Sequence, residues 1–447
     1  MTEVLSKRVI KNAHKLDTVK HQKGSIDVPT HQTEADVSHM AMDSYSPQSG
    51  ATLIMQSQTA IVDFMVYPGT VAEVRLIALC VPVTNGSTTL PLYLTNPLYW
   101  CQSNPIQLSL DGSEICLFYS EGQQFAFSTM NYEETKIMSK LINGIFSNTL
   151  ATTSKNVPAS TFGADEIISV APGETRNFYI PLLNDPFIQT KIPMNAITSK
   201  IRYRFQFDPY QNVTISKQSS SYVVSDLKVG NLQLYIMGLG HGDPRSTNLI
   251  VPKLDGSLSA TYYKRERQII SQGVYVAGQT LNNTMSSLSG FYSCIVNYIR
   301  SQGALKEKAY QFSYDTTSPY TPESFIITAS TLYDSSRRPI EVVAIPTELK
   351  RYGEALVNMV DNNGLNVSTY SSKYPYAIWS LGSSVFETAR HGIVSGAIVN
   401  NAWSTELAGP IVDIPGTPPL ELVILADRLF EFSVGQDGRA IAVPTTF

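Results

Sequence analysis

The stretch Lys200-Ile-Arg-Tyr-Arg-Phe-Gln-Phe207 decides the fold class. Ile201, Tyr203, Phe205 and Phe207 alternate with Lys200, Arg202, Arg204 and Gln206, a period of two. That is the pattern of an antiparallel strand with one buried and one wet face. The same period appears in Val62, Phe64 and Val66, and again in Ala72, Val74, Leu76, Ala78 and Cys80. Turn signals punctuate the chain at Pro68-Gly69, Asn85-Gly86, Asp111-Gly112, Pro172-Gly173 and Pro415-Gly416. Many short strands separated by such turns predict β-sandwiches or jelly rolls.

The second half of the chain repeats the first. Asn177-Phe-Tyr-Ile-Pro-Leu182, Lys200–Phe207 and Asn231-Leu-Gln-Leu-Tyr-Ile236 find counterparts further on. These are Tyr374-Pro-Tyr-Ala-Ile-Trp-Ser-Leu381, Gly396-Ala-Ile-Val-Asn-Asn401 and Leu420-Glu-Leu-Val-Ile-Leu425. Phe178 aligns with Tyr376, Ile201 with Ala397 and Leu232 with Leu422, at a nearly constant offset. Each half also carries one helical pattern before its aromatic strand. In 133–147 the stripe is Ile137, Leu141 and Ile145, with Met138 and Ile142; in 347–361 it is Leu349, Tyr352, Leu356 and Met359. Thr347 is the expected N-cap of the second helix and Asn363-Gly364 its stop. A chain of 447 residues is too long for one ordinary core. The expectation is two similar all-β domains, 53–245 and 255–447, joined through 241–258 and preceded by an arm, 1–52.

The arm differs from the rest. Lys7, Arg8, Lys11, Lys15, Lys20 and Lys23 stand against Glu3 and Asp17, a local charge of +4. Leu5, Val9, Ala13 and Leu16 share one helical face, and Gly24 is a stop. Two readings fit: a solvated terminus, or an amphipathic basic arm lying against an anionic surface or a neighbouring subunit. Over the whole chain only 16% of residues are charged, against about 25% in ordinary soluble domains. So little charge suits a surface covered by further copies of the chain or by partners. The net charge of −4 argues against nucleic-acid binding by the molecule as a whole.

Signatures of catalysis are missing. There is no Gly-Lys dipeptide and hence no P-loop, no GxSxG elbow and no HExxH. Four of the six histidines lie in the arm; His241 reads as part of an inter-domain turn and His391 as a loop residue. Cys80, Cys101, Cys116 and Cys294 show neither a CxxC spacing nor a disulfide framework, and no catalytic, cofactor or metal site is expected. The opening residues lack the apolar core of a signal peptide, and no stretch reaches the ~18 apolar residues of a membrane span. These features predict a protein that is soluble when made, in a reducing cytosol.

Arranged in this way, the chain resembles the double jelly-roll major capsid proteins of the tectivirus–adenovirus lineage, which includes virophages and large DNA viruses. Three passages carry the resemblance. The first runs from Phe178-Tyr-Ile-Pro-Leu182 through Phe187 and Ile192-Pro-Met-Asn-Ala-Ile197 to Ile201–Phe207. The second is Ala329-Ser-Thr-Leu-Tyr-Asp-Ser-Ser-Arg-Arg338, followed by the pattern through Leu349 and Tyr352. The third runs from Tyr376-Ala-Ile-Trp-Ser-Leu381 to Leu420–Val434. The resemblance implies two tandem eight-stranded jelly rolls, and homotrimers that tile an icosahedral shell as pseudo-hexagonal capsomers. It implies minor capsid and penton proteins as partners, and an arm whose Lys7, Arg8, Lys11, Lys15, Lys20 and Lys23 face an internal membrane or an inner protein. A viral spike or carbohydrate-binding β-sandwich is the alternative, although Trp100, Trp379 and Trp403 form no cluster in sequence. A sandwich glycosidase would need paired carboxylates, and no convincing pair stands out.

Overall fold

The structure is a computed structural model. It describes residues 40–48, 59–94, 96–128, 137–138, 140–142, 144, 168–214, 227–240, 256–273, 280–284, 289–301, 326–333, 336–344, 377–380, 396–399, 402–408 and 420–445. In the first half the strands are β1 (Met40–Tyr45), β2 (Ala60–Val66), β3 (Val71–Asn85), β4 (Leu92–Leu94), β5 (Ile106–Leu110) and β6 (Ser113–Phe118). After them come β7 (Ile168–Val170), β8 (Thr175–Pro181), β9 (Ile201–Phe207), β10 (Leu227–Val229) and β11 (Gln233–Gly240). Helix α1 (Ser120–Ser128) succeeds β6, and helix α2 (Pro186–Thr190) lies between β8 and β9. The second half holds β12 (Leu258–Gly273), β13 (Thr280–Thr284), β14 (Ser289–Ser301), β15 (Ile326–Tyr333) and β16 (Pro339–Ala344). It continues with β17 (Ala377–Ser380), β18 (Gly396–Val399), β19 (Ala402–Ala408), β20 (Leu420–Val434) and β21 (Ala440–Pro444).

Strand order makes the duplication explicit. One sheet of the first half runs β1-β11-β3, with β8 and β10 also pairing β3, and the other runs β2-β9-β5-β6. In the second half one sheet runs β12-β20-β14-β17 and the other β13-β19-β15-β16. The correspondence is strand for strand: β1 with β12, β2 with β13, β3 with β14, β5 with β15, β6 with β16, β8 with β17, β9 with β19 and β11 with β20. All the pairings are antiparallel, and most strands meet neighbours distant in sequence, which is jelly-roll connectivity. Among the described residues no sheet mixes strands of the two halves.

Period two builds these sheets. Ile201, Tyr203, Phe205 and Phe207 are all fully buried beside Val62 and Phe64 of the paired strand β2, and Phe64 meets Phe205 edge to face at 5.7 Å. Their alternates, Arg202 and Arg204, stand outside and share Asp63 of β2. The turn at Asp111-Gly112 has both residues at positive φ, 49° and 86°, as a two-residue hairpin between β5 and β6 requires.

Three local expectations change. The counterpart of β9 is β19, not the run Gly396–Asn401; β18 within that run pairs with β14, in the other sheet. Two short apolar runs lie a few residues apart there, and only hydrogen-bond partners tell them apart. In β3 the core face is Val74, Ile77, Leu79, Val81 and Val83, whereas Leu76, Ala78 and Cys80 face outward. A register shift opposite Met237 and Gly238 moves the strand by one residue, and such a slip exchanges the faces. Within 133–147 the described residues 137–138 and 140–142 are helical, with Ile142 buried and Ile137 68% exposed. The pattern at 347–361 lies outside the described residues. Near the end of the segment 1–52, β1 is already part of the first jelly roll through its pairing with β11.

Candidate functional site: the seam between the halves

The densest polar chemistry lies where β12 meets the first half. Tyr262 donates from its hydroxyl to the carbonyl of Ile115 (3.1 Å), and Lys264 pairs with Glu114 (3.1 Å), both on β6. The intervening and following arginines point the other way. Arg265 donates to the carbonyl of Gly122 in α1 (2.6 Å), while Arg267 pairs with Glu121 (3.4 Å) and lies 4.5 Å over the ring of Tyr119. Side chains on successive strand positions point to opposite faces. β12 is therefore clasped, β6 on one side and α1 on the other.

Arg265 also forks onto Asp427 of β20 with two 2.6 Å bonds, from Nε to Oδ1 and from Nη2 to Oδ2. Both side chains are buried. A buried charge is tolerated only where it is paired and its remaining donors are satisfied. Here the carboxylate takes two guanidinium donors and the Gly122 carbonyl a third, so the pair fixes the position of β12 between the halves.

Helix α2 adds a second fastening. Its N-cap, Asp185, accepts from the Phe187 amide (2.8 Å) and from the Tyr203 hydroxyl (2.9 Å) while wholly buried. Burial pushes its carboxyl up to about 7, against the two hydrogen bonds that favour the charged form. Further along, Gln189 accepts from the Tyr263 amide (2.9 Å) and donates to the Tyr263 carbonyl (3.1 Å). One side-chain amide thus takes the place of a neighbouring strand at the edge of β12. Phe187 meets Phe432 edge to face at 5.7 Å, and Tyr262 meets Phe432 likewise at 6.4 Å.

The turn between β20 and β21 is the third fastening. Thr198 donates its amide to the Gly438 carbonyl (2.8 Å) and its hydroxyl to the Asp437 carbonyl (2.9 Å). The amide of Ala440 donates to Ser199 Oγ (3.1 Å). Gly438 sits at φ 77° with Thr198 where a β-carbon would stand, so the turn needs glycine for both reasons. As a result Tyr262, Phe430, Phe432, Val434 and Ala440 belong to the same hydrophobic cluster as Phe118, Phe187, Met194 and Phe205.

These contacts fasten the two halves to each other. Among the described residues no group of three His, Cys, Asp or Glu is placed to hold a metal, and no helix is long and apolar enough to cross a membrane. Burial raises the Cys80, Cys101 and Cys116 thiols, which keeps them protonated and inert at neutral pH. Trp100 is fully buried against Phe178, away from any sugar platform. Lys7, Arg8, Lys11, Lys15, Lys20, Lys23, His241 and His391 lie outside the described residues. None of the seam residues was expected from sequence. The one available signal was the charge run Lys264-Arg-Glu-Arg267 inside a strand of a chain otherwise poor in charge.

With two four-strand orders repeated and the seam joining them, the fold is a double jelly roll. No family model and no curated protein matches the sequence. Among solved structures the chain is similar to VP54 of PBCV-1, as fitted into a reconstruction of the virophage Sputnik. The TM-score is 0.56 at 10% identity, over 92% of this chain and 98% of that one. It is similar to a chain of the Sputnik virophage structure (TM-score 0.55, 12% identity, 95% and 93% covered). It also resembles the mavirus major capsid protein (TM-score 0.50, 10% identity, 91% and 90% covered).

Proposed function

We propose that the chain is the major capsid protein of a double-stranded DNA virus, a structural protein rather than an enzyme. The observation that carries this is the repeated strand order joined by a rigid seam, in a fold shared along nearly its whole length with the mavirus major capsid protein. The two jelly rolls, the first including β1, are alike in topology and held side by side, and give each chain two nearly equivalent wedges. Three such chains close into a pseudo-hexagonal capsomer, which tiles a flat facet through repeated heterologous contacts. Minor capsid and penton proteins would fill the joints and vertices.

The basic part of the arm 1–52 points inward in this reading. Lys7, Arg8, Lys11, Lys15, Lys20 and Lys23 meet an internal anionic membrane, where each charge contributes about 1 kcal/mol. Flotation of the full chain with anionic and with neutral vesicles tests this: binding only to anionic ones supports it, and binding to neither assigns the arm to an inner protein.

The capsid reading itself is tested by light scattering and negative-stain microscopy of the purified protein. A particle of three times 49.2 kDa with a hexagonal outline is expected. A monomer at all concentrations, with measurable glycan binding, would overturn it in favour of a carbohydrate-binding sandwich.

A further inference from the structure

The outer faces of the two first-half sheets differ in kind. On the β2-β9-β5-β6 sheet the outward positions include Asp63, Arg202, Arg204 and Gln206, a wet face. On the sheet containing β1, β11 and β3 the middle of the outer face is apolar. Met40 and Met42 of β1 are 58% and 56% exposed, Met42 lies opposite Met237 and Ser44 opposite Tyr235, and Leu76 and Tyr179 continue the face, partly open to solvent. Ala78 lies on this same side, outside the hydrophobic cluster that the inner face builds. A monomer gains nothing from a dry outer face, and such patches mark interaction surfaces.

The counterpart of β1 in the second half is β12, the strand held by β6 and α1 at the seam. The counterpart of β6 is β16. Within one chain, then, the β6 side of one jelly roll grips the first strand of the other. Repeated head to tail around a ring, a contact of the same kind would seat β1 of one copy against the β16 side of the next. We propose that β1 and the apolar face beside it dock the β16 side of a second copy of this chain, Met40 and Met42 lying at the centre of the contact. Met42, Met237, Leu76 and Tyr179 offer apolar surface in place of the cations that an anionic lipid or nucleic acid would require, and a Met-rich surface adapts to packing against protein. This inference rests on the capsid reading and names the surface through which its copies join.

The test is the assembly state of Met40→Glu/Met42→Glu. Two carboxylates buried in an apolar contact should weaken association on the order of 100-fold or more. The variant should elute as a single chain with unchanged thermal unfolding and circular dichroism. Ile61→Glu, at a residue 51% exposed on the wet sheet, should leave the assembly intact. A double variant that still assembles as the parent does overturns the proposal, whereas a parent that never assembles overturns the capsid reading with it. A photo-cross-linker at Met42 in mixed isotope-labelled chains is the second measurement, useful if the double variant folds poorly. Inter-chain products with residues 336–344 support the head-to-tail contact. Products only with another copy's first half overturn it.

Discussion

Arg265 and Asp185 hold the seam by opposite means, one charged and donating three hydrogen bonds, the other pushed by burial toward its neutral form. Replacing Arg265 with alanine strands the Asp427 carboxylate in the interior and should cost about 3–5 kcal/mol, read as a fall in the urea midpoint. Arg265→Met combined with Asp427→Leu should recover most of that loss, because the desolvation of both charges disappears together. Asp185 makes a pH prediction. An unfolded aspartate releases its proton near 3.8, whereas this one keeps it to about 7. Between those values the native state binds more protons, so its stability falls as pH rises from about 4 to about 7 and levels off above. Asp185→Asn accepts from the Phe187 amide through Oδ1, can donate from Nδ2 to the Tyr203 hydroxyl, and does not titrate. Between pH 5 and pH 8 the parent should lose about 2–3 kcal/mol more than this variant in urea unfolding. Equal losses would show that Asp185 is already ionised in the native protein.

Among the elements, β11 is constrained most tightly where it passes β3. A β-carbon on Gly238 would stand 1.9 Å from the Glu73 carbonyl oxygen, at the register shift between the strands. Gly238→Ala should therefore destabilise by about 3 kcal/mol, visible as a lower thermal midpoint and reduced soluble yield. A neutral outcome would mean that the irregularity relaxes at no cost. This irregularity also limits what the sequence discloses. β9 was legible in full because its alternation is unbroken and one of its faces is wet. The alternation at Leu76, Ala78 and Cys80 is equally regular, but both faces of β3 there are apolar, so period alone could not say which looks inward. α1 escaped notice because Ser120-Glu-Gly-Gln-Gln-Phe carries Gly122 early and no apolar stripe; contacts with β12 hold it. The seam was less legible still, since Arg265 and Asp427 are 162 residues apart and meet only once β12 and β20 are paired.

For the molecule as a whole, the shared hydrophobic cluster means that the halves do not unfold as independent units. Native-state hydrogen exchange should show the amides of β9 and those of 430–434 opening with similar free energy, as one cooperative block. Separate opening, with 430–434 exchanging well before β9, would make the seam a contact between autonomous domains. The repeated strand order was visible in sequence as an offset, whereas the joining of the cores was not, because neither half's pattern shows a missing wall. That wall has a consequence for synthesis. The residues that close the first jelly roll's core, Tyr262 and Phe430 to Ala440, are translated after most of that roll has left the ribosome. The early half must wait with that core incomplete until the late strands arrive. Only a chain read through to β21 holds every residue that this core needs.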